Sequence, residues 1–542
     1  MDNFKRHHRK PRGSIDGLIG GGVPPRRQNG PATGRRRPGQ SRMGDEGNRP
    51  IGDFRRPDGF HMPGKRMDSR GSGQGRAAGN ADDSKKLDTP KTERRTRQRD
   101  KRSKRQVMRK MMSTLLIVFL VGGGYAFGKG YLNILNVFRG GGNALALDEN
   151  VHPSRLRGEG DGRVNVLLLG RGGDGHNGAD LTDTIIVASI DPVNNKAALL
   201  GIPRDLYVQP EGYGAMKVNA VYSTGKNYNV REGEDPNDAG LRLLEKTLQD
   251  SLGIPIHYNA TIDFEGFKQA VDTVGGVTVD VPEDLAVFDY MHYFGTPYTL
   301  DVDPGKQKFD GLRALMYSRT RAIGSDFERS KRQRLMMIAL KDRVFSLGTY
   351  GNPVKVNELL GDLGNSVTTN FTTEEIMRVY EIMQEVPSDQ IASVGLADEP
   401  QRLVTTANFG GESVVIPTAG NLQFDDIRYF VRNTLRDGFL EKENASVDVY
   451  NGTLVTGLAG RTAEHLKSFG YNVGTVADAP TKGMQNTIVV DMTGGKKEYT
   501  KKYLENRFGV SAVNNLPGND IDPGNADFVI ILGTNEERRL QN

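Results

Sequence analysis

From Met111 to Gly128 ("MMSTLLIVFLVGGGYAFG") the chain runs eighteen residues without a charge and is closed by Lys129. About 18 to 20 such residues cross a bilayer as a single helix. No other feature constrains the fold so strongly, because a segment in lipid must satisfy its own backbone and puts the two flanking parts of the chain on opposite sides of a membrane. The stretch ahead of it, Lys91 to Lys110, holds eleven Lys and Arg against Glu93 and Asp100. Basic residues before the span and few after it predict a cytoplasmic N-terminus and an extracellular remainder. A cleaved signal peptide fits less well. The "ALA" at Ala144 to Ala146 lies far past the apolar run, and the basic region is longer than a signal peptide carries. The span reads as the uncleaved anchor of a single-pass cell-membrane protein.

Residues 1–110 are dominated by Gly, Arg and Pro, with almost nothing to bury, and read as a disordered basic cytoplasmic tail. After the anchor, 111–128, a Gly-rich stem is expected over 129–160, then a large domain over 161–440 and a small one over 445–536. The chain has no cysteine, which excludes disulfides, thiolate catalysis and Cys-ligated metal. The extracellular part must hold together by packing alone, as its length allows.

In the large domain, apolar runs at Val164 to Leu169, Thr184 to Ile190 and Ala197 to Ile202 predict buried strands. Leu241, Leu244, Leu248 and Leu252, then Phe264, Phe267, Val271 and Val274, recur at helical spacing. From about residue 329 the pattern is mainly helical, with a capping box at Thr372 and Glu375 and short strands at "IASVGL" and "SVVIP". The small domain alternates strand, helix, strand, helix, strand. The expected class is α/β: a mixed sheet flanked by helices, followed by a compact α/β unit.

"LLLGRGGDG" places Gly170, Gly172 and Gly175 in a G-x-G-x-x-G pattern after a strand, with Asp191 about twenty residues on. A dinucleotide site also needs a helix starting at the last glycine, and the few residues before the next strand leave no room for one. A polar loop between antiparallel strands is the better reading. Its carboxylates, Asp174, Asp180 and Asp183, suit a hard cation such as Mg2+, which takes one or two carboxylates and leaves other positions to phosphate oxygens. Loop aspartates also act simply as turn formers, so the residues alone leave both roles open. "IPRDLYV" sets Arg204 and Asp205 at the end of a strand, either projecting into a cleft or forming a surface ion pair.

"YSRTRAIGSDFERSKRQR", Tyr317 to Arg334, holds five arginines and a lysine, diluted only by Asp326 and Glu328. If Asp326 starts a helix running to about Leu347, Arg329 and Gln333 share a face with Met336, Met337, Leu340 and Val344. Lys331, Arg334, Lys341 and Asp342 then form an opposite, solvated face. An arginine on the apolar stripe is costly to desolvate without an anion, so Arg329 and Gln333 should look into a pocket at the helix start, where the dipole also favours anions. In an extended segment Arg319 and Arg321 share one side, and together these groups make a phosphate clamp. No H-E-x-x-H, G-x-S-x-G or Walker loop is present.

From about Val164 to Leu347, through "NVLLLG", "TDTIIVASID", "LLGIPRDLYV", "KVNAVYSTG", "DFEGFKQAVDTVGGVTVDVP" and "GLRALMYSRTR...SDFERSKRQR", the chain resembles the LytR-CpsA-Psr family of membrane-anchored wall-polymer transferases. The last 90 or so residues resemble the LytR C-terminal domain through "VDVYNGTLVTGLAGRTAEHLKSFGYNV" and "ADFVIILGTN". The resemblance implies transfer of a glycopolymer from a polyprenyl-pyrophosphate carrier to a peptidoglycan hydroxyl as a phosphodiester, assisted by Mg2+. It also implies pyrophosphate binding by Arg204, Lys217, Arg319, Arg321, Arg329 and Gln333. Catalysis would rest on Asp183, Arg204, Arg319 and Arg321, with metal ligation at Asp183 and at Asp174 or Asp180. Two departures stand out. The usual Arg-Ser-Asp-Thr is Leu181-Thr182-Asp183-Thr184, and Gly172 holds the place of an aspartate. They motivate the alternative of a non-catalytic wall-binding scaffold or regulator. Nucleic acid is not expected as a partner, since the folded domains lie across the membrane from it.

Overall fold

The computed structural model describes residues 140–346 and 366–541, apart from 174, 177, 294, 323, 519 and 520. The tail expected over 1–110 and the anchor over 111–128 lie outside the described residues. Among the described residues, no helix is long and apolar enough to cross a membrane.

The first three apolar runs form neighbouring strands, β1 (Val164–Arg171), β2 (Thr182–Asp191) and β3 (Lys196–Gly201), paired antiparallel in sequence order. The turns between them are too short for a parallel crossover, and the glycine motif sits in the first turn rather than at a helix start. Helix α1 (Pro236–Leu252) is capped by Asp235 and ends at Gly253, whose φ of 71° is a left-handed conformation that glycine adopts without strain. This helix makes the crossover that lets β4 (Tyr258–Asp263) run parallel to β1. Asp263 then caps α2 (Phe264–Thr273) through the Gly266 amide.

Next comes a hairpin, β5 (Val287–Tyr293) with β6 (Thr296–Val302), then α3 (Gly311–Arg319) and α4 (Asp326–Ser346). β7 (Val367–Thr369) pairs with β4, and the capping box of Thr372 and Glu375 starts α5 (Thr373–Gln384). β8 (Ile391–Gly395) adds parallel to β3, and α6 (Asp425–Thr434) closes the domain. The six-stranded sheet runs β7-β4-β1-β2-β3-β8, the mixed sheet flanked by helices that the sequence predicted.

Alternation along the strands divides the interior. Leu167, Leu169, Ile185, Val187 and Leu200 face the leucine stripe of α1. On the other face Val166 and Ile190 meet Phe371 and Ile382, while Leu168 and Ile186 border a cavity.

Helix α4 differs from its expected form. Its buried stripe is Arg329, Arg332, Met336 and Ala339, so Met336 belongs to the core around Val271, Phe309, Met316 and Tyr317 and not to a pocket wall. The face expected to be solvated is covered in part, although Asp342 stays exposed. Arg334 is 2% exposed, bound to Asp398 Oδ2 at 2.6 Å and to Ser330 and Ser393. A Cβ on Gly201 would sit 2.3 Å from the Arg334 guanidinium, so that strand end is glycine because the arginine passes against it. Lys341 donates to the Val386 carbonyl. A helical wheel shows one buried side; the second comes from the sheet edge beneath α4.

The C-terminal domain is a four-stranded sheet of β9 (Ser446–Asn451), β10 (Asn472–Asp478), β11 (Ile488–Asp491) and β12 (Phe528–Leu532), ordered β10-β9-β12-β11. Helices α7 (Leu458–Ser468) and α8 (Glu498–Phe508) pack on it. β10 has no counterpart among the expected strands: it is an edge strand, largely exposed, without an apolar run. The segment expected as a stem is folded from residue 140 on. Leu145, Val151 and Leu156 complete the core of the C-terminal domain. Glu159 accepts from Arg507 and from the Tyr471 hydroxyl, each at 2.6 Å. Burial would raise the Glu159 carboxyl, but Arg507 and these hydrogen bonds hold it below its ordinary range. Asp437 collects the Gly160 and Gly162 amides and the Tyr503 hydroxyl.

Candidate functional site

β1, β2, β4 and helices α2, α3 and α4 enclose a cavity of about 410 Å3 whose lining changes character along its length. In the register of β1 with β2, Leu168 faces Ile186 and Gly170 faces Thr184, so the wall turns from apolar to polar toward the end of β1. Helix α4 repeats the gradient. Arg329, Gln333, Met337 and Leu340 all line the cavity, at steps of four, four and three residues along one stripe, covering about 16 Å of axis. Ala260, Ile262, Phe267, Leu315 and Val367 complete the apolar part; His176, Asp183, Asp263, Arg319 and Arg321 gather at the polar end.

The arginines at that end are held by carboxylates. Arg204 donates to Asp183 Oδ1 at 2.7 Å, and its Nε lies 3.6 Å from both Asp205 and Asp326. Burial pulls its guanidinium down, yet Asp183 and Asp326 together hold it above its ordinary value. Arg329 grips both oxygens of Asp326 at 2.7 and 2.8 Å. Burial, with Arg204 and Arg321 as like-charged neighbours, pushes Arg329 down to about 10 despite Asp326. Arg321, with more than half of its side chain exposed, has Nε 3.9 Å from Asp326. Arg319 lies over the Phe264 ring at 4.4 Å, a cation–π contact, and burial lowers it too. Gln333 donates to the Ser318 carbonyl.

The structure thus brings Asp183, Arg319, Arg321, Arg329 and Gln333 onto one cavity, with Arg204 fastened to its edge through Asp183. Arg319 is not in an extended segment: it is the last residue of α3, and Arg321 lies in the turn beyond. Lys217 does not line the cavity and points to Asp205 at 3.5 Å. Asp180 is engaged by Lys226 at 2.8 Å and Arg171 at 3.4 Å and is also off the lining. Asp174 lies outside the described residues.

Three residues that sequence reasoning missed organise the site. Asp326 is shared by three arginines. Phe264 carries Arg319. Arg332, wholly shut off from solvent, donates through Nε to the Tyr317 carbonyl and through Nη2 to the Thr320 carbonyl, so a cation closes the C-terminal end of α3 just where Arg319 and Arg321 emerge. Arg332 was findable: it stands three residues after Arg329 and four before Met336, on the same stripe.

Among the described residues no group of three or more His, Asp or Glu is placed to hold a metal ion. A lesser site remains. Asp183 is 29% exposed at the polar end and takes its arginine on Oδ1 alone. Asp263 lines the same end while Oδ1 caps Gly266. Such residues fit a magnesium that draws most of its shell from water and substrate phosphate.

Residues 140–418, just over half of the chain, match the LytR_cpsA_psr family, and residues 444–535 match the domain described as LytR cell envelope-related transcriptional attenuator. Cell wall biosynthesis protein LcpA of Corynebacterium glutamicum is 28% identical over 342 residues, 58% of this chain and 62% of that protein. Polyisoprenyl-teichoic acid–peptidoglycan teichoic acid transferase TagU of Oceanobacillus iheyensis is 33% identical over 218 residues, 39% of this chain and 60% of TagU. Regulatory protein MsrR of Staphylococcus aureus is 30% identical over 236 residues, 43% of this chain and 64% of MsrR. The chain thus spans under two thirds of the length of each of these relatives.

Proposed function

Because the chain belongs to the LytR-CpsA-Psr family, we propose that it moves a glycopolymer from a polyprenyl-pyrophosphate carrier to peptidoglycan, leaving a phosphodiester. The observation that carries this reading is the cavity with four basic side chains at or beside one end and aliphatic and aromatic walls at the other. A pyrophosphate with a long hydrocarbon tail has the same division.

In this reading Arg319, Arg321, Arg329 and Arg204 neutralise the pyrophosphate, and Gln333 adds a neutral donor. The acceptor hydroxyl attacks the phosphorus that bears the glycan, the P–O bond to the prenyl phosphate breaks, and prenyl phosphate leaves. The chemistry asks mainly for positioning and charge stabilisation. In this reading Asp183 orients the hydroxyl or holds Mg2+; when bound, that ion would spread the charge of the phosphates. Anchoring through 111–128, with the catalytic domain outside the cell, would keep the cavity beside its lipid. Added protease should then remove the C-terminal domain from intact cells, and protection of that domain would overturn the topology.

The test of function supplies the purified chain with lipid-pyrophosphate glycopolymer, Mg2+ and a peptidoglycan oligomer, and measures release of prenyl phosphate. Release that depends on Arg319 supports transfer. Binding without release supports the alternative, a wall-binding scaffold or regulator, which the name of MsrR and the leucine and glycine at positions 181 and 172 keep in view.

A further inference from the structure

The hairpin β5–β6 carries a stripe of side chains that no role above uses. Val287, Asp289, Met291 and Tyr293 turn inward, while Phe288, Tyr290 and His292 turn out. Phe288 is 51% and Tyr290 75% exposed, their rings edge to face at 5.1 Å. Across the ladder Phe288 faces Asp301 and Tyr290 faces Thr299, both exposed. Large aromatics this open, in a strand whose other face is packed against the domain, mark a contact surface rather than incomplete packing.

The inner face of β5 meets the segment that carries Arg319 and Arg321. Tyr293 donates to Glu265, next to the Phe264 ring over which Arg319 lies. Asp289 accepts from Thr320, which lies between Arg319 and Arg321. From His292 back to Phe288 the stripe runs for about 13 Å along the strand whose inner residues reach Thr320 and Glu265. Residues 285–304 contain no Lys or Arg, so this surface suits neither an anionic membrane nor a phosphate chain. Aromatic faces flanked by hydroxyl, imidazole and carboxylate groups match the C–H faces and hydroxyl rims of neutral sugar rings.

We propose that this stripe binds the glycan of the donor, beside the pyrophosphate clamp. The proposal rests on the transfer reading, and only the donor's glycan is joined to the group that the clamp would hold.

The probe is the glycan released by mild acid from the lipid-linked polymer of the producing cell, titrated into the full-length chain and followed by the ring resonances of its tyrosines. Loss of the Phe288–Tyr290 platform in the double variant Phe288→Ala/Tyr290→Ala should weaken glycan binding about fivefold or more. Tyr290→Phe, which keeps the ring, should retain it. Binding of glycan-free polyprenyl pyrophosphate should be unchanged by the double variant. Glycan binding that is absent in the wild type, or equal in the double variant, overturns the proposal. A defect confined to peptidoglycan oligomer, or to phosphatidylglycerol vesicles, overturns it in favour of the acceptor or the membrane. If wild-type chain fails to bind glycan-free polyprenyl pyrophosphate, the transfer reading fails, and the glycan titration still decides whether the stripe binds sugar.

Discussion

Arg204 Nη1 donates to Asp183 Oδ1 at 2.7 Å across the gap between the end of β3 and the start of β2. Without substrate phosphate, this carboxylate holds the arginine at the cavity edge. Arg204→Ala should lower turnover about 100-fold or more, on the scale of losing one preorganised donor, and Arg204→Lys should recover only part because it lacks the planar fork. Release of prenyl phosphate measures both, and an unchanged rate in Arg204→Ala would remove it from the site.

Arg332 supplies donors to two carbonyls at the end of α3 from a fully buried position. Arg332→Ala leaves those acceptors and a cavity behind, and should destabilise the chain by about 3 kcal/mol in denaturant titration. Arg332→Lys should stay folded but bind donor more weakly, because one ammonium replaces the fork that holds the Tyr317–Thr320 turn.

The Arg334–Asp398 pair ties α4 to the segment after β8. Asp398→Ala leaves a buried guanidinium without its counter-charge and should cost about 3–5 kcal/mol. Arg334→Met, which removes the charge itself, should cost less. Thermal unfolding of the two variants compares them directly.

Met337 and Leu340 sit in the apolar half of the cavity. Leu340→Trp adds volume there and should slow transfer from long-chain prenyl donors more than from short-chain ones, with the pyrophosphate contacts untouched. Equal slowing with both chain lengths would place the tail elsewhere.

His257 accepts from the Asn165 amide, and burial with Arg157 nearby lowers it to about 4. Its folded value lies below the unfolded one of about 6.5, so between these pH values the unfolded chain binds the extra proton. Stability from this group is therefore complete above about pH 6.5 and is lost as pH falls toward 4, by about 3 kcal/mol in all. Unfolding midpoints from pH 7.5 to 4.5 should show this slope, reduced in His257→Gln.

How much was legible beforehand depends on the range of the forces involved. Periodicity of two and of 3.6 is local, so the strands at Val164, Thr184 and Ala197, the leucine stripe of α1 and the pocket side of α4 could be read directly from the sequence. So could the placement of Arg329 and Gln333, because an arginine in line with apolar residues must find an anion or a polar pocket. Arg334 could not. Its burial depends on Ser393, Asp398 and Gly201, on separate strands and turns that only the sheet brings together. Asp326 reads in sequence as an acid in the first turn of a helix; that it gathers Arg204, Arg321 and Arg329 is set by where β3 and α3 end. The residues by themselves determined which groups bear charge and which elements carry them. The tertiary structure decided which charges share a carboxylate and which face a cavity, because Coulomb attraction and desolvation depend on distances between elements that chain order does not set.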